Sequence, residues 1–155
     1  MKSISTINFE EKRVLVRVDF NVPLDEEGNI TDDSRMKACI PTIKTIMDNG
    51  GRPILMSHLG RPKGQRNLDL SLNYLTKHLE DLTGKEVVFM EDCIGEDVVD
   101  ATETMGKNQI LLLENLRFYK EETDGDENFA KSLSLNGDFY VNDAFGTAHR
   151  AHAST

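Results

Sequence analysis

The stretch "RVLVRVDF", residues 13–20, decides the fold. It is rich in Val and Leu, which favour an extended strand. Its apolar residues do not alternate cleanly with polar ones, which is typical of a strand buried on both faces. We therefore expect this stretch to be one strand of a sheet that is covered by other elements on both sides.

Similar apolar runs recur along the chain and alternate with amphipathic segments. Asp33 or Ser34 is expected to cap the first helix, and Pro41 to kink it or to mark its true start. The first helix is expected to stop at Asn49, Gly50 and Gly51, and the second and fourth helices are also expected to stop at glycines. The acidic run 121–127 reads as a solvated turn. Further strands are predicted at 52–57, 86–90, 109–115 and 138–143, and helices at 34–51, 71–84, 95–105 and 126–137.

Strands that alternate with helices predict a parallel sheet with right-handed crossovers. The fold class is therefore α/β: a three-layer, doubly wound, Rossmann-like parallel sheet in a single domain. Sheets of this kind bind ligands outside the carboxyl ends of their strands. The residues that follow each strand are consequently the place to look for a site.

Composition excludes several classes of function. The 155 residues carry a net charge of −9, which argues against nucleic-acid binding. No apolar run is long enough to cross a membrane, and the amino terminus lacks a secretory signal. The two cysteines, Cys39 and Cys93, are far apart and read as buried small hydrophobes. A reduced, cytoplasmic protein without nucleic-acid or membrane partners is expected.

Polar side chains cluster after the predicted strands. Three of them are arginines, and like charges that crowd together are costly unless an anion joins them. Arginine suits a two-point grip on phosphate or carboxylate. The residues in question are Asp19, Phe20 and Asn21 after the first strand, His58, Gly60 and Arg61 after the second, Glu114, Asn115 and Arg117 after the fourth, and Asn142, Asp143, His149, Arg150 and His152 in and after the fifth.

The expected ligand is a small phosphorylated acid. The chain has neither a GxxxxGK[ST] loop nor a GxGxxG turn, so a cradle for ATP is not evident. A carboxylate such as Asp19 would repel phosphate, and we expect it to accept a hydrogen bond from a ligand hydroxyl. Arg35, near the start of the first helix, is a candidate for charge stabilisation. No metal site is predicted.

Each residue also has a structural alternative. Asp19 and Asn21 fit turn-forming roles, and Arg35 fits a surface pair with Asp32 or Asp33. His58 alone fits a structural histidine. Arg117 fits an ion pair with Glu114 or Glu121. Taken together, these alternatives do not explain why the polar residues gather at one set of strand ends.

Four motifs resemble a known family. "RVLVRVDFNVPL" (13–24), "SHLGRPKG" (57–64), "LLLENLRFY" (111–119) and "YVNDAFGTAHRAHAS" (140–154) look like the amino-terminal domain of the phosphoglycerate kinases. The resemblance extends from about residue 7 to residue 154. It implies a phosphotransferase of glycolysis, which moves a phosphoryl group reversibly between 1,3-bisphosphoglycerate and ADP to give 3-phosphoglycerate and ATP.

The resemblance also implies roles for particular residues. Arg35 is implied as the catalytic arginine, which stabilises the phosphoryl group in flight and also contacts substrate. Arg17 is implied to add to the basic patch. The residues implied to bind phosphoglycerate are Asp19, Phe20 and Asn21 at its hydroxyl and carboxyl end, and His58, Leu59, Gly60, Arg61, Arg117 and Arg150 at its non-transferred phosphate.

The same resemblance shapes the expected domain organisation. Residues 1–155 correspond to the substrate-binding domain, and we expect this domain to be incomplete at its carboxyl end. The nucleotide-binding domain, with the sites for ATP or ADP and Mg²⁺, is expected to be missing. The chain alone is therefore expected to be monomeric and inactive. The alternative is a non-catalytic anion-binding or interaction module of the same fold, and another phosphosugar enzyme on this scaffold is a third hypothesis.

Overall fold

The computed structural model describes residues 9–20, 22, 24–27, 29–59, 64 and 70–143. Within them, strands and α-helices follow one another in the predicted alternation, with short 3₁₀ turns at Leu72–Leu75 and Leu116–Phe118. In chain order the elements are β1 (Arg13–Val18), α1 (Ser34–Asp48), β2 (Arg52–Met56), α2 (Thr76–Thr83), β3 (Glu86–Met90), α3 (Glu96–Thr104), β4 (Gln109–Leu113), α4 (Lys120–Asp124), α5 (Glu127–Ser134) and β5 (Phe139–Asp143).

The five strands form one parallel sheet in the order β3-β4-β2-β1-β5. From β1 the chain continues to β2, β3 and β4, which all lie on one side of β1. It then places β5 on the other side of β1. This reversal defines a doubly wound sheet with its switch point beside β1. The predicted fold class is confirmed.

Alternate residues of each inner strand enter two separate cores. Val14 and Val16 of β1 pack with residues of α1 and α2 on one face of the sheet. Leu15 packs on the other face, with residues of α3 and α5. Because both faces are covered, an inner strand needs apolar residues at nearly every position, which explains the missing polar alternation.

The start of α1 differs from the prediction. The helix begins at Ser34, so Pro41 lies inside it and does not mark its start. Asp33 occupies the cap position but makes no side-chain capping bond. Its carboxylate instead lies 2.8 Å from Nε2 of His78 and 3.4 Å from Nζ of Lys37. Competition from these two partners outside the backbone explains why the expected cap is not formed.

The acidic run 121–127 was predicted as a solvated turn, and this prediction is wrong. Residues 120–124 form α4, and the side chain of Glu122 is completely buried. Asp126 then caps α5 by accepting a hydrogen bond of 2.9 Å from the backbone N–H of Phe129. A local run of acids cannot reveal that one of its side chains is buried, because burial depends on distant parts of the chain.

Two of the three predicted helix stops are correct. α1 ends at Asp48, directly before Asn49 and Gly50. Gly84 ends α2 in the left-handed conformation, as expected. The last predicted helix ends at Ser134, three residues before Gly137. A Cβ atom at position 137 would lie 2.8 Å from Cβ of Leu15, so Gly137 is needed for close packing against β1.

Arg13 and Asp138 join the amino ends of β1 and β5, and they allow a test by pH. Asp138 accepts hydrogen bonds from the Arg13 backbone N–H (2.9 Å) and guanidinium (3.2 Å), and the Arg13 side chain is the main cause of the lowered pKa of this carboxyl. We expect Asp138→Asn to lower the free energy of unfolding by about 0.5–1 kcal/mol at pH 7, as for a surface pair, because the side chain is 40% exposed.

The sign of the pH dependence follows from the lowered pKa. The carboxylate contributes stability above the ordinary aspartate pKa of about 3.9, and this contribution is lost as pH falls through the lower pKa of the folded state. Urea unfolding at pH 7 and near pH 2 should therefore show a difference between the proteins only at pH 7. Asp100→Asn, at an exposed position of α3, is the control. An equal difference at both pH values would contradict this assignment.

Candidate functional site

Three adjacent strands carry predicted site residues at their carboxyl ends. The order β4-β2-β1 places the segments that follow them side by side. Arg117, His58 and Asp19 lie on these segments, although they are far apart in sequence. β5 ends next to β1, where Asn142 pairs with Arg17 and Asp143 with Val18. The edge of the sheet thus gathers charged and polar groups from four strands.

A buried guanidinium lies at the centre of this edge. Arg17, in β1, is completely buried, and its Nη2 lies 3.2 Å from Nδ1 of His58, which is 6% exposed. Burial lowers the pKa of Arg17, and the nearby carboxylate of Glu122 opposes that shift. The charged and titratable groups that act on this guanidinium are Glu122, Tyr140, Arg117 and Asp19.

The second cation of the site is on the surface. Nη1 of Arg35, in the first turn of α1, lies 3.5 Å from Oδ1 of Asp19. The Arg35 side chain is 53% exposed and that of Asp19 is 29% exposed. The observed ion pair therefore joins α1 to the segment after β1. Pairing of Arg35 with Asp33 is disfavoured because that carboxylate contacts His78 and Lys37.

Two predicted binding residues have their side chains in the core. Phe20 is completely buried and Leu59 is 2% exposed, and both belong to the core on the α1 side of the sheet. The backbone N–H of Phe20 donates to Oγ of Ser57 at 3.0 Å. The carbonyl of Ser57 accepts from the N–H of Leu116 at 3.0 Å. Ser57 thus ties together the ends of β1, β2 and β4, and sequence reasoning had given it no role.

Asn115 braces the segment after β2. Its buried Nδ2 donates to the carbonyls of Leu59 (2.8 Å) and Leu70 (2.9 Å). Its Oδ1 accepts from the N–H of Arg117 at 3.0 Å. The carbonyl of Arg117 in turn accepts from Gly64 at 3.2 Å. The chain is therefore anchored at Leu59 by Asn115 and at Gly64 by the carbonyl of Arg117.

Glu114 is also structural. Its buried carboxylate accepts hydrogen bonds from Oγ of Ser71 (2.7 Å) and from the backbone N–H groups of Leu72 (2.9 Å) and Asn115 (2.8 Å). Sequence reasoning placed Glu114 at the ligand edge, or alternatively as a partner of Arg117. Both oxygens are instead used to hold the turn at 71–72 against β4.

The remaining predicted residues lie outside the described part of the chain. These are Asn21, Gly60, Arg61 and Arg150, together with His149 and His152. Three arginines, Arg61, Arg117 and Arg150, are expected to lie together at one edge of the sheet, and of these the structure describes Arg117. Their clustering there therefore stays a prediction.

The described residues offer neither a metal-binding cluster nor a membrane-spanning helix. No group of three or more His, Cys, Asp or Glu side chains in the described part of the chain is arranged to hold a metal ion. No helix there has the length and apolar character needed to cross a membrane. Both cysteines are buried thiols, as expected, and burial raises the pKa of the Cys93 thiol well above its usual value.

The fold and the edge define a parallel α/β domain whose strand ends gather buried and exposed cations. The sequence model of the family described as phosphoglycerate kinase matches residues 4–155. The chain belongs to the phosphoglycerate kinase family.

Relatives and solved structures agree with this assignment. The chain is 56% identical over 155 residues to phosphoglycerate kinase of Borrelia hermsii, and 55% identical over 154 residues to that of Chlorobium limicola. It covers 39% of the length of each. The crystal structure of phosphoglycerate kinase from Pyrococcus horikoshii matches 99% of this chain and 39% of its own chain, at 33% identity and a TM-score of 0.87. The Coxiella burnetii enzyme gives a TM-score of 0.84 at 34% identity, over 99% of this chain and 38% of its own.

The brace formed by Asn115 can be tested by substitution. Asn115→Ala leaves one buried and one partly buried carbonyl without their donor and one N–H without its acceptor, so we expect the free energy of unfolding to fall by about 2–3 kcal/mol. Asn128→Ala, at an exposed position of α5, is the matched control and should change it by less than about 0.5 kcal/mol. Urea denaturation followed by circular dichroism measures both. Equal stability of the two variants would show that the brace contributes little.

Proposed function

We propose that this chain supplies the phosphoglycerate site of a phosphoglycerate kinase, the enzyme that transfers a phosphoryl group between 1,3-bisphosphoglycerate and ADP. One observation carries the proposal. In a chain of net charge −9, the structure brings the arginines Arg17 and Arg117 to one edge of the sheet beside His58, with Arg35 nearby. Positive charge concentrated in this way suits a ligand with several negative charges.

The phosphate that is not transferred is proposed to lie near Arg117 and His58. Arg117 follows β4, and its backbone is held on both sides by Asn115 and Gly64. Because the Leu59 side chain is in the core, only its backbone is proposed to face the ligand. Gly60, Arg61 and Arg150 are proposed to complete this part of the site.

The hydroxyl and carboxyl end of the acid is proposed to lie near Asp19. The carboxylate of Asp19 is partly exposed and can accept a hydrogen bond from a hydroxyl. Phe20 is buried, so it contributes through the position of its backbone. Asn21 is proposed to add a second polar contact.

Arg35 is proposed to stabilise the phosphoryl group during transfer. Its guanidinium is more than half exposed and lies at the long end of ion-pair distance from Asp19, so it can turn toward a charged group above the edge. Phosphoryl transfer requires little covalent chemistry from the protein, and neutralising charge on the oxygens in flight is the main contribution.

The nucleotide is proposed to bind elsewhere in a longer protein. The chain has no phosphate-binding glycine motif, and its described residues include no cluster suited to Mg²⁺. ATP or ADP with Mg²⁺ supplies the phosphoryl donor or acceptor and neutralises its charge. We propose that a nucleotide-binding domain holds them and that the protein acts as a monomer in the cytoplasm, where its two cysteines stay reduced.

Titration with 3-phosphoglycerate tests the site directly. We expect this chain to bind the acid with a millimolar or lower dissociation constant that rises with salt, because charged contacts are screened. Arg117→Ala should raise that constant by the equivalent of about 1.5–3 kcal/mol, the contribution of a charge-assisted hydrogen bond. Arg52→Ala, at the amino end of β2, is the matched control. Isothermal titration calorimetry at low and moderate salt measures all three proteins, and absence of binding would overturn the proposal.

Kinetics separate a kinase from a simple anion-binding module. In the kinase completed by its nucleotide-binding domain, Arg35→Ala should lower kcat by about 10²-fold or more, since the interaction is made mainly in the transition state. The KM for 3-phosphoglycerate should change much less. Lys37→Ala, an exposed neighbour on α1, is the control. If the completed protein binds the acid but transfers no phosphoryl group, the binding module is the correct description.

A further inference from the structure

The hydrogen bond between Arg17 and His58 determines where the histidine carries its proton. A guanidinium has five N–H donors and no acceptor, and it stays protonated at neutral pH. Its Nη2 lies 3.2 Å from Nδ1 of His58 within the protein interior. Nδ1 must therefore be the acceptor, because a proton on it would face two donors toward each other without water between them.

We infer that Arg17 is a positioning residue that holds His58 as the neutral tautomer with its proton on Nε2. The imidazole then presents an N–H donor on the side of the ring away from Arg17. Its role toward a bound phosphate rests on the proposed function, whereas the tautomer itself does not.

The burial of Arg17 strengthens this inference. Its Nε and Nη1 are buried without a hydrogen-bond partner among the described residues, so the contact with His58 is the side-chain hydrogen bond that Arg17 makes there. A second proton on His58 would remove that contact and place two cations together in the interior. Buried donors that lose their acceptor are costly, and unpaired buried charges more so.

The surrounding charges do not reverse this conclusion. Glu122 of α4 and Asp19 after β1 contribute negative charge near Arg17, while Arg117 after β4 adds positive charge. Tyr140 of β5 is the remaining titratable neighbour, and burial raises its pKa, so it stays neutral near pH 7. None of these groups is a hydrogen-bond partner of the Arg17 side chain among the described residues, so Nδ1 of His58 remains its acceptor.

A neutral donor has a consequence for the ligand. An Nε2–H group can donate to a phosphate oxygen without adding a charge that varies between pH 6 and 8. The positive charge of the site then comes from arginines, which do not titrate in this range. The affinity of the site for an anion should therefore not follow the protonation of an ordinary histidine near pH 6.5.

Nitrogen NMR of the ligand-free chain tests the tautomer. In uniformly ¹⁵N-labelled protein, two-bond correlations from the carbon-bound imidazole protons to the ring nitrogens distinguish an unprotonated nitrogen from a protonated one. We expect Nδ1 of His58 to show the unprotonated shift and Nε2 the protonated shift, unchanged from pH 8 to pH 6. His58→Gln identifies the signals among the four histidines by their loss. A protonated Nδ1 at pH 7 would overturn the inference.

Two variants connect the tautomer to Arg17. In Arg17→Met, which removes the donor and keeps an apolar side chain, the Nδ1 and Nε2 signals of His58 should move toward those of a mixture of both tautomers. Arg52→Met, in the neighbouring strand at its other end, should leave His58 as in the wild type. An unchanged His58 in folded Arg17→Met would assign the tautomer to something other than Arg17.

The wild-type spectrum decides the tautomer even if Arg17→Met does not fold, and Arg17→Lys then serves as the second variant. All these spectra are recorded without ligand. A failure of 3-phosphoglycerate to bind would therefore contradict the proposed function and leave the tautomer decided.

Discussion

A guanidinium buried in an inner strand of the sheet is the constraint on which the rest of the site depends. Arg17 sits in β1 between β2 and β5, with no exposed surface. Taking such an ion out of water costs several kcal/mol, and the interior must recover part of that cost through nearby charges and acceptors. Glu122, Asp19 and His58 are arranged around it in this way. One guanidinium thus interacts with groups from three places: helix α4, the segment after β1 and the segment after β2.

The polar groups at the strand ends divide into two kinds with different roles. Ser57, Glu114 and Asn115 are buried, and each uses its hydrogen-bonding atoms to join segments that are distant in sequence. Asp19 and Arg35 are partly exposed and form a long ion pair. Buried hydrogen bonds of the first kind are costly to break, and they fix the backbone. Exposed pairs of the second kind are weak, which leaves their charges able to respond to a ligand.

An acidic protein can bind an acidic ligand because electrostatics near a site are local. Screening over about 8–10 Å at ordinary salt limits the influence of distant surface carboxylates. The groups that matter at this edge are those within a few ångströms of Arg17, Arg117 and Arg35. The proposed ligand, a phosphorylated acid, needs concentrated positive charge close to it and not a protein of positive net charge.

The sequence by itself determined the parallel α/β fold and the positions of its strands to within one or two residues, because runs of Val, Leu and Ile report burial on both faces. It also determined that charged residues follow β1, β2 and β4. Only the tertiary structure decided which of them are braces and which remain exposed. Glu114 and Asn115 look like ligand residues in the sequence, and Glu122 looks solvated, yet all three are buried. The reason is that a periodic pattern depends only on neighbouring residues, whereas the partner of a buried polar group can come from a distant part of the chain. Arg17 and His58 are 41 residues apart in sequence, and Asn115 and Leu59 are 56 apart.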